Sequence, residues 1–361
     1  MRPAARVAVR AENAARSGDL AAARTGEGPP PEDAISVLDG NTFVVSDRRG
    51  DMRPESRLHP HGFFSEDTRF VSRWELTVWG RSLDTLSTAR RHYFVAQFFL
   101  VPPFEAFHAA SPLSVLRQRV VKDVWIEELI LSNHLEESMD VDVDLLVAAD
   151  FADLFEVKDA DIRERQVAAL AGENELTLRY RNGEFLRETR ITVSEQATID
   201  NDAIRLRLKL GPREDRLISF VITPHGEEPG HAPVQRRPAG SFEEVDHRRR
   251  SDFDAWLALA PVLDTDGDDL RHLYVQCLED LAALRFYPHL ADQDVSLPAA
   301  GLPWFMSLFG RDSIITSYQA LPFLPELART TLRTLAARQG TTVDDFRDQE
   351  PGKILHEIRF G

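Results

Sequence analysis

The sequence changes its apolar period once, from two residues to that of a helix, and no other feature restricts the possible folds as much. From about Asn41 to Ile222 the period is two. Met139, Val141, Val143 and Leu145 alternate with Asp140, Asp142 and Asp144; Ile204, Leu206, Leu208 and Leu210 alternate with Arg205, Arg207 and Lys209. Leu176, Leu178 and Tyr180, then Ile191 and Val193, repeat the device. Successive side chains of a strand point to opposite faces, so each run predicts a strand with one buried and one wet face. Trp74–Trp79, Leu113–Val121, Val124–Leu131 and Leu217–Ile222 are further strand candidates, and Gly80, Gly183 and Gly211 punctuate them as turn residues do. Many strands with no helical pattern between them predict a large antiparallel sandwich. The three aspartates of one strand form a solvated acidic face, since calcium ligands come from tight loops. The Arg205/Arg207/Lys209 row is a possible neighbour that sequence alone does not pair with it.

Between His225 and Arg250 the period disappears into Gly226, Pro229, Gly230, Pro233, Pro238 and Gly240, and the segment ends in the basic run His247–Arg250. This composition predicts a linker over 225–251 with a solvated basic patch. After it, Leu270, Leu273, Cys277, Leu281 and Leu284 fall on one helical stripe, with Asp266 or Asp268 available as N-cap. A second helix is expected from about Asp312–Ser313, carrying Ile314, Ile315 and Tyr318. A third spans about Pro325 to Arg338, with Gly340 as its C-terminal cap. No strand alternation is evident after Asp252, so the second region reads as all-α.

Composition excludes several classes. With 43 Lys+Arg against 59 Asp+Glu the formal charge is −16, which argues against a protein built to bind nucleic acid. Cys277 is the only cysteine, so there is no intrachain disulfide framework. The apolar run Phe94–Phe104 is broken by Gln97 and Pro102–Pro103, well short of the ~18 residues of a membrane helix. The first residues, 1–34, form an Ala/Arg/Pro-rich arm in which Arg6, Arg10, Glu12, Arg16 and Asp19 interrupt any secretory apolar stretch. A disordered arm and a cytoplasmic address are expected.

Two clusters can carry chemistry. In Gly301–Ser313, Trp304, Phe305 and Phe309 stand just before Gly310-Arg311-Asp312 at the entrance to a helix. Aromatic faces can stack on a sugar ring, and Arg with Asp can divide adjacent hydroxyls between them. The same residues would equally serve as an Arg–Asp cap on a core helix. In Arg347–Arg359, Asp348, Glu350, His356 and Glu357 surround the Pro351–Gly352 turn. Glycosidic hydrolysis usually needs two carboxyl groups, and this segment could supply one, or sugar ligands, or be a charged loop. Ser46–Asp51 and His61–Phe70 join turn glycines to charged pairs, and Asp47, Arg49, Asp67 and Arg69 read as turn-stabilising ion pairs. His59 and His61 lack the partners of a zinc site. There is no phosphate-binding glycine loop, nucleophile elbow or dinucleotide fingerprint.

On these segments the chain resembles a known family. NTFVVSDRRGD and HGFFSEDTRFVSRWELTVWG, within Asn41–Gly80, resemble the N-terminal β domain of bacterial amylo-alpha-1,6-glucosidase, or glycogen-debranching-type, proteins. AGLPWFMSLFGRDSIIT, TLRTLAARQGT and EPGKILHEIR resemble the start of their catalytic domain. The resemblance runs from about Ile35 to Gly361. It implies a β-supersandwich over 35–224 and, from 252, an (α/α)6 toroid of the glucoamylase-like kind. It implies inverting hydrolysis of α-glucosidic bonds by a general acid and a general base, without metal or organic cofactor. Arg311 and Asp312 would be substrate ligands with Trp304 and Phe309 beside them, and His356 and Glu357 would line or support the cleft. The acid and base in such toroids normally lie further along the chain.

From Asp252 to Gly361 there are 110 residues. Twelve helices of ordinary length need roughly 130–145 before any loop. An incomplete toroid is therefore expected, with apolar stripes lacking partners and little hydrolysis by this chain alone; a separately encoded remainder of the catalytic domain is a candidate partner. Two rival readings are a non-catalytic carbohydrate-binding or assembly module, and a related six-hairpin glycosidase acting on trehalose or another oligosaccharide.

Overall fold

The computed structural model describes residues 34–54, 60–103, 111–227, 240–287 and 296–359. The expected N-terminal arm lies outside these residues, apart from Ala34. The first sheet is antiparallel and holds β1 (Ile35–Asp39), β2 (Thr42–Ser46), β3 (Gly62–Ser65) and β4 (Thr68–Val71). There follow β5 (Arg73–Val78), β6 (Arg81–Ser82), β7 (Asp84–His92), β8 (Val95–Val101), β9 (Leu113–Lys122), β10 (Val124–Asn133) and β11 (Met139–Ala148). A helix, α1 (Leu154–Asp159), precedes β12 (Ala168–Ala171), β13 (Glu175–Asn182), β14 (Phe185–Val193), β15 (Thr198–Ile199), β16 (Ala203–Leu210) and β17 (Asp215–Glu227). An eight-stranded sheet runs β12-β13-β14-β17-β10-β9-β8-β7, and a five-stranded sheet runs β15-β16-β11-β5-β6. The remaining elements are α2 (Phe242–Leu257), α3 (Asp268–Ala283), the short pair β18 (Arg285–Phe286) and β19 (Leu297–Pro298), α4 (Gly310–Ala320) and α5 (Pro325–Ala336).

The two larger sheets form a sandwich. Their inner faces meet in one core containing Trp74, Phe98, Trp125, Val143, Leu206 and Phe220. The polar faces of β11 and β16 are in register: Asp140 opposes Lys209, Asp142 opposes Arg207, and Asp144 opposes Arg205. Opposite charges directly across an antiparallel pair stabilise it modestly, so the two alternating rows are complementary. On the outer face of the eight-stranded sheet, Val120, Val124 and Ile126 join Phe43 and Phe64 of the first sheet and Phe253, Trp256 and Leu278 of the helices. Sheet and helical regions therefore share a hydrophobic core.

Three strands from the two larger sheets meet at one buried carboxylate. Glu127 on β10 accepts from Trp74 Nε1 on β5 and from Arg117 Nε on β9, both at 2.7 Å. Arg119 Nη2 lies 2.7 Å from its other oxygen. Arg117 also reaches Asp51 at 2.7 Å, and Asp51 accepts from the Leu76 amide at 3.1 Å. All four charged side chains are at most 3% exposed. Burial pulls the Arg117 guanidinium down, but Glu127 and Asp51 beside it outweigh this and leave it above its ordinary value. For Arg119 burial wins, lowering it to about 10 despite Glu127. Gly50 lets this packing close: it adopts φ +84°, and a Cβ there would lie 2.7 Å from Arg119 Nη2.

Several sequence expectations change. The linker is shorter than 225–251: β17 continues to Glu227 and α2 begins at Phe242, while 228–239 lie outside the described residues. A capping box of Ser241 and Glu244 starts α2. Within the expected basic patch, Arg249 is buried and pairs with Asp39 of β1 at 2.7 Å. The α1 helix interrupts the strands, started by a capping box of Asp153 and Glu156. Asp47 is not ion-paired to Arg49; its Oδ1 accepts the amides of Arg49 and Asp51. Arg69 pairs with Asp150. Gly267, not an aspartate, occupies the N-cap of α3, whose buried residues are Leu278 and Ala282 while Leu270 and Leu273 are exposed. Ala337, not Gly340, is the C-cap of α5.

The α4 helix is inverted relative to an ordinary surface helix. It buries Gly310, Ser313, Ser317 and Ala320 and exposes Ile314, Ile315 and Tyr318. Its buried Ser317 hydroxyl lies 2.8 Å from that of Thr331 on α5. The described residues contain five α-helices, one of them within the sheet region, and do not close an (α/α)6 toroid. No helix among them is long and apolar enough to cross a membrane.

Removing one partner of a buried ion pair leaves the others uncompensated, at a cost of about 3–5 kcal/mol. Glu127→Ala is expected to destabilise the chain by about that amount in urea unfolding. Arg213→Ala, which breaks the exposed Arg213–Glu136 pair, should barely move the midpoint.

Candidate functional site

The two sequence clusters come together at the start of α4. Phe309 is the N-cap residue in extended conformation, with φ −109° and ψ 124°, and makes no side-chain cap. The chain before the helix is instead paired with residues 356–358. The Gly310 amide donates to His356 O at 3.0 Å, the Ile358 amide donates to Leu308 O at 3.0 Å, and Phe309 bridges Glu357. Ser307 Oγ donates to Ile358 O. Gly310 is required by this approach, because a Cβ on it would lie 2.2 Å from Leu355 O. Ser313 fixes the first turn from beneath, donating to Pro298 O at 2.8 Å.

Arg311 is 75% exposed and its Nη2 lies 3.4 Å from Asp312, whose side chain is 35% exposed. A carboxylate in the first helical turn is favoured by the helix dipole. His356 is exposed. Glu357, partly exposed, is held by Arg359 at 3.1 Å. Trp304 is half-buried, and its carbonyl accepts from Arg359 Nη1 at 3.1 Å. Phe309 is only 8% exposed. Its ring meets the edges of Phe305 and His356 at 5.7 and 6.0 Å, with Arg359 at 5.3 Å. It therefore builds the wall of the site and does not offer an open stacking face.

Arg359 is the residue that sequence reasoning passed over, although it ends one of the quoted motifs. Besides Glu357, Trp304 and Phe309, it lies 3.6 Å from Asp67 and 4.6 Å from the Phe155 ring. Asp67 and Phe155 belong to the sheet region, one in the β3–β4 turn and the other on α1. Lys158 of α1 adds a second link, 5.2 Å from the centre of the Phe305 ring. No sequence signal joins residues so far apart; the fold does.

Chemically the cluster offers a guanidinium, a carboxylate and an imidazole at an accessible surface, set on a wall of packed aromatics. Such a set can donate to and accept from the hydroxyls of a neutral ligand. The two carboxylates here, Asp312 and Glu357, each lie beside an arginine, Arg311 and Arg359 respectively. Three pockets among the described residues, of about 410, 350 and 400 Å³, are lined by residues other than Trp304, Phe309, Arg311, Asp312, His356 and Glu357. Gly310→Ala should force residues 354–359 away from α4 and cost about 1–3 kcal/mol. Thermal unfolding and faster amide exchange of the Ile358 amide would report it.

Residues 37–220 match the family described as the N-terminal domain of (some) glycogen debranching enzymes. No curated protein matches the sequence. Among solved structures, a candidate kojibiose phosphorylase from the human microbiome aligns at TM-score 0.47 and 13% identity, over 74% of this chain and 41% of its own. A candidate aldose 1-epimerase from Escherichia coli K12 aligns at TM-score 0.30 and 8% identity, over 53% of this chain and 98% of its own. A heparan sulfate lyase from Pedobacter heparinus aligns at TM-score 0.29 and 11% identity, over 56% of this chain and 36% of its own. The chain spans about two-fifths of the first of these proteins.

Proposed function

The chain belongs to the glycogen debranching enzyme N-terminal domain family, and from that premise we propose that it is the sheet-bearing part, with the opening helices, of an inverting glycosidase acting on α-glucans. The observation that carries this reading is the pairing of Leu308–Gly310 with His356–Ile358, which sets Arg311, Asp312 and His356 at one accessible surface. Arg311 and Asp312 bind hydroxyls of the terminal sugar, and Trp304 and His356 flank it. Phe309, Arg359 and Asp67 hold these groups in place.

The inverted burial of α4 supports an origin in a larger helical assembly. Ile314, Ile315 and Tyr318 on α4 and Leu332 on α5 are between 38% and 75% exposed. Exposed apolar groups of this kind on neighbouring helices are the surface that further toroid helices would cover. On this reading the residues of the cluster bind sugar, and other groups transfer the proton. The 361-residue chain binds α-glucan oligosaccharides and hydrolyses them slowly or not at all.

A hydrogen bond to a charged group contributes about 1.5–3 kcal/mol, which corresponds to roughly a tenfold or greater change in affinity. Asp312→Asn and Arg311→Ala should each weaken maltoheptaose binding by at least that factor in titration calorimetry. Unchanged affinity in both variants would remove the cluster from the binding site. Efficient release of glucose from an α-1,6-branched oligosaccharide by this chain would overturn the assignment of proton transfer to other groups.

A further inference from the structure

Away from the α4 cluster, the hairpin of β13 and β14 forms one wall of an open pocket of about 350 Å³, within the size range of small-ligand sites of about 300–1,000 Å³. Tyr180 and Phe185 stand on the hairpin with ring centroids 6.3 Å apart and planes at 70°. Both rings are only partly buried; Tyr180 packs on one side against the edge of the sandwich core, and both rings line the pocket. Phe185 is braced by Arg187, whose guanidinium lies 4.1 Å from the ring centre and is itself buried. Tyr180 is flanked by Arg165 at 5.7 Å. Asn182 at the hairpin tip and Asp153 at the start of α1 complete the polar lining.

The charges decide what such a pocket takes. Arg165 is committed to Glu156 at 2.7 Å. Arg187 donates to Leu186 O at 3.1 Å and lies within 3.4 Å of the Thr68 hydroxyl. Asp153 adds a negative group that also caps α1, its Oδ1 accepting the Phe155 amide at 2.8 Å, so the lining has no excess of uncommitted cations to recruit an anion. What it presents is a partly exposed phenol ring beside an amide and a carboxylate. That combination suits a ligand with an apolar face and a rim of hydroxyls.

We propose that this pocket is a second carbohydrate-binding site, in which Tyr180 stacks on one sugar ring of a neutral oligosaccharide and Asn182 and Asp153 bond its hydroxyls. It shares only the class of ligand with the α4 cluster and uses none of its residues. Asn182 is exposed, so its replacement tests the site without disturbing the sheet.

The test is titration of the 361-residue chain with maltoheptaose, in parallel for wild type, Tyr180→Ala, Asn182→Ala and Asp312→Asn. Hydrogen exchange of residues 180–187 is followed in each. The expected result is a binding phase that persists in Asp312→Asn and weakens at least tenfold in Tyr180→Ala and severalfold in Asn182→Ala. Maltoheptaose should slow exchange in the hairpin of wild type. Binding that Asp312→Asn alone abolishes would overturn this site and leave the α4 reading intact. Binding lost only in the two hairpin variants would do the reverse. A wild-type chain that binds no maltoheptaose would overturn the site directly, as would unchanged affinity in Asn182→Ala together with unchanged exchange in 180–187.

Discussion

The sandwich depends on a carboxylate placed where apolar packing alone would be expected. Glu127 points into the core between the sheets, directly opposite Arg119 in the β9–β10 register, and within reach of Trp74 on the other sheet. An isolated charge there would be prohibitive, and even an ion pair recovers its desolvation only with good geometry and further hydrogen bonds. Here the geometry is supplied three times over, by Arg117, Arg119 and the Trp74 indole. Asp51 then extends the network to the loop after β2. Apolar contacts tolerate sliding, whereas this set of directed bonds does not. It therefore fixes how the first sheet, the eight-stranded sheet and β5 meet, which is the frame on which both candidate sites are built.

How far such a frame can be read from sequence depends on how local its causes are. The alternation of β11 and β16 is local, and their complementary charges were visible as two rows, although only the fold pairs Asp140 with Lys209. The capping boxes that start α1 and α2 are also local, and Asp153-Leu-Phe-Glu156 carried a readable signal that the surrounding strand pattern masked. Arg249 was not legible. Three arginines in a row look like a solvated patch, and only the closeness of β1 makes one of them a buried partner of Asp39. The stripe on α3 failed for a related reason. Its period was right, but the helix turns Leu278 and Ala282 inward and leaves Leu270 and Leu273 outside.

At the site, residue types were legible and their division of labour was not. The sequence grouped Trp304, Phe309, Arg311 and Asp312 by proximity. The fold separates them by burial, placing Phe309 inside and Arg311 at the surface. Gly310 explains the arrangement, since the carbonyl of Leu355 occupies the space a side chain would need. A single residue without a Cβ thus lets a segment some 45 residues downstream lie against the helix start. The two motifs are one structural unit because of that contact.

The turn between β3 and β4 then joins the two candidate sites. Glu66 and Asp67 both adopt positive φ, at 48° and 63°, a strained conformation for residues with side chains. Asp67 faces Arg359 of the α4 cluster, and the next residue, Thr68, contacts Arg187 beneath the hairpin pocket. The same turn anchors α1, since the Leu154 amide donates to Asp67 O at 2.8 Å and Thr68 bridges Asp153. Strain of this kind persists only where the surroundings hold it from several directions. Ion pair, helix start and strand bridge do so here, within consecutive residues. The sheet region is therefore more than a support for the helices, because the turn that sets the position of Arg359 also sets one wall of the pocket.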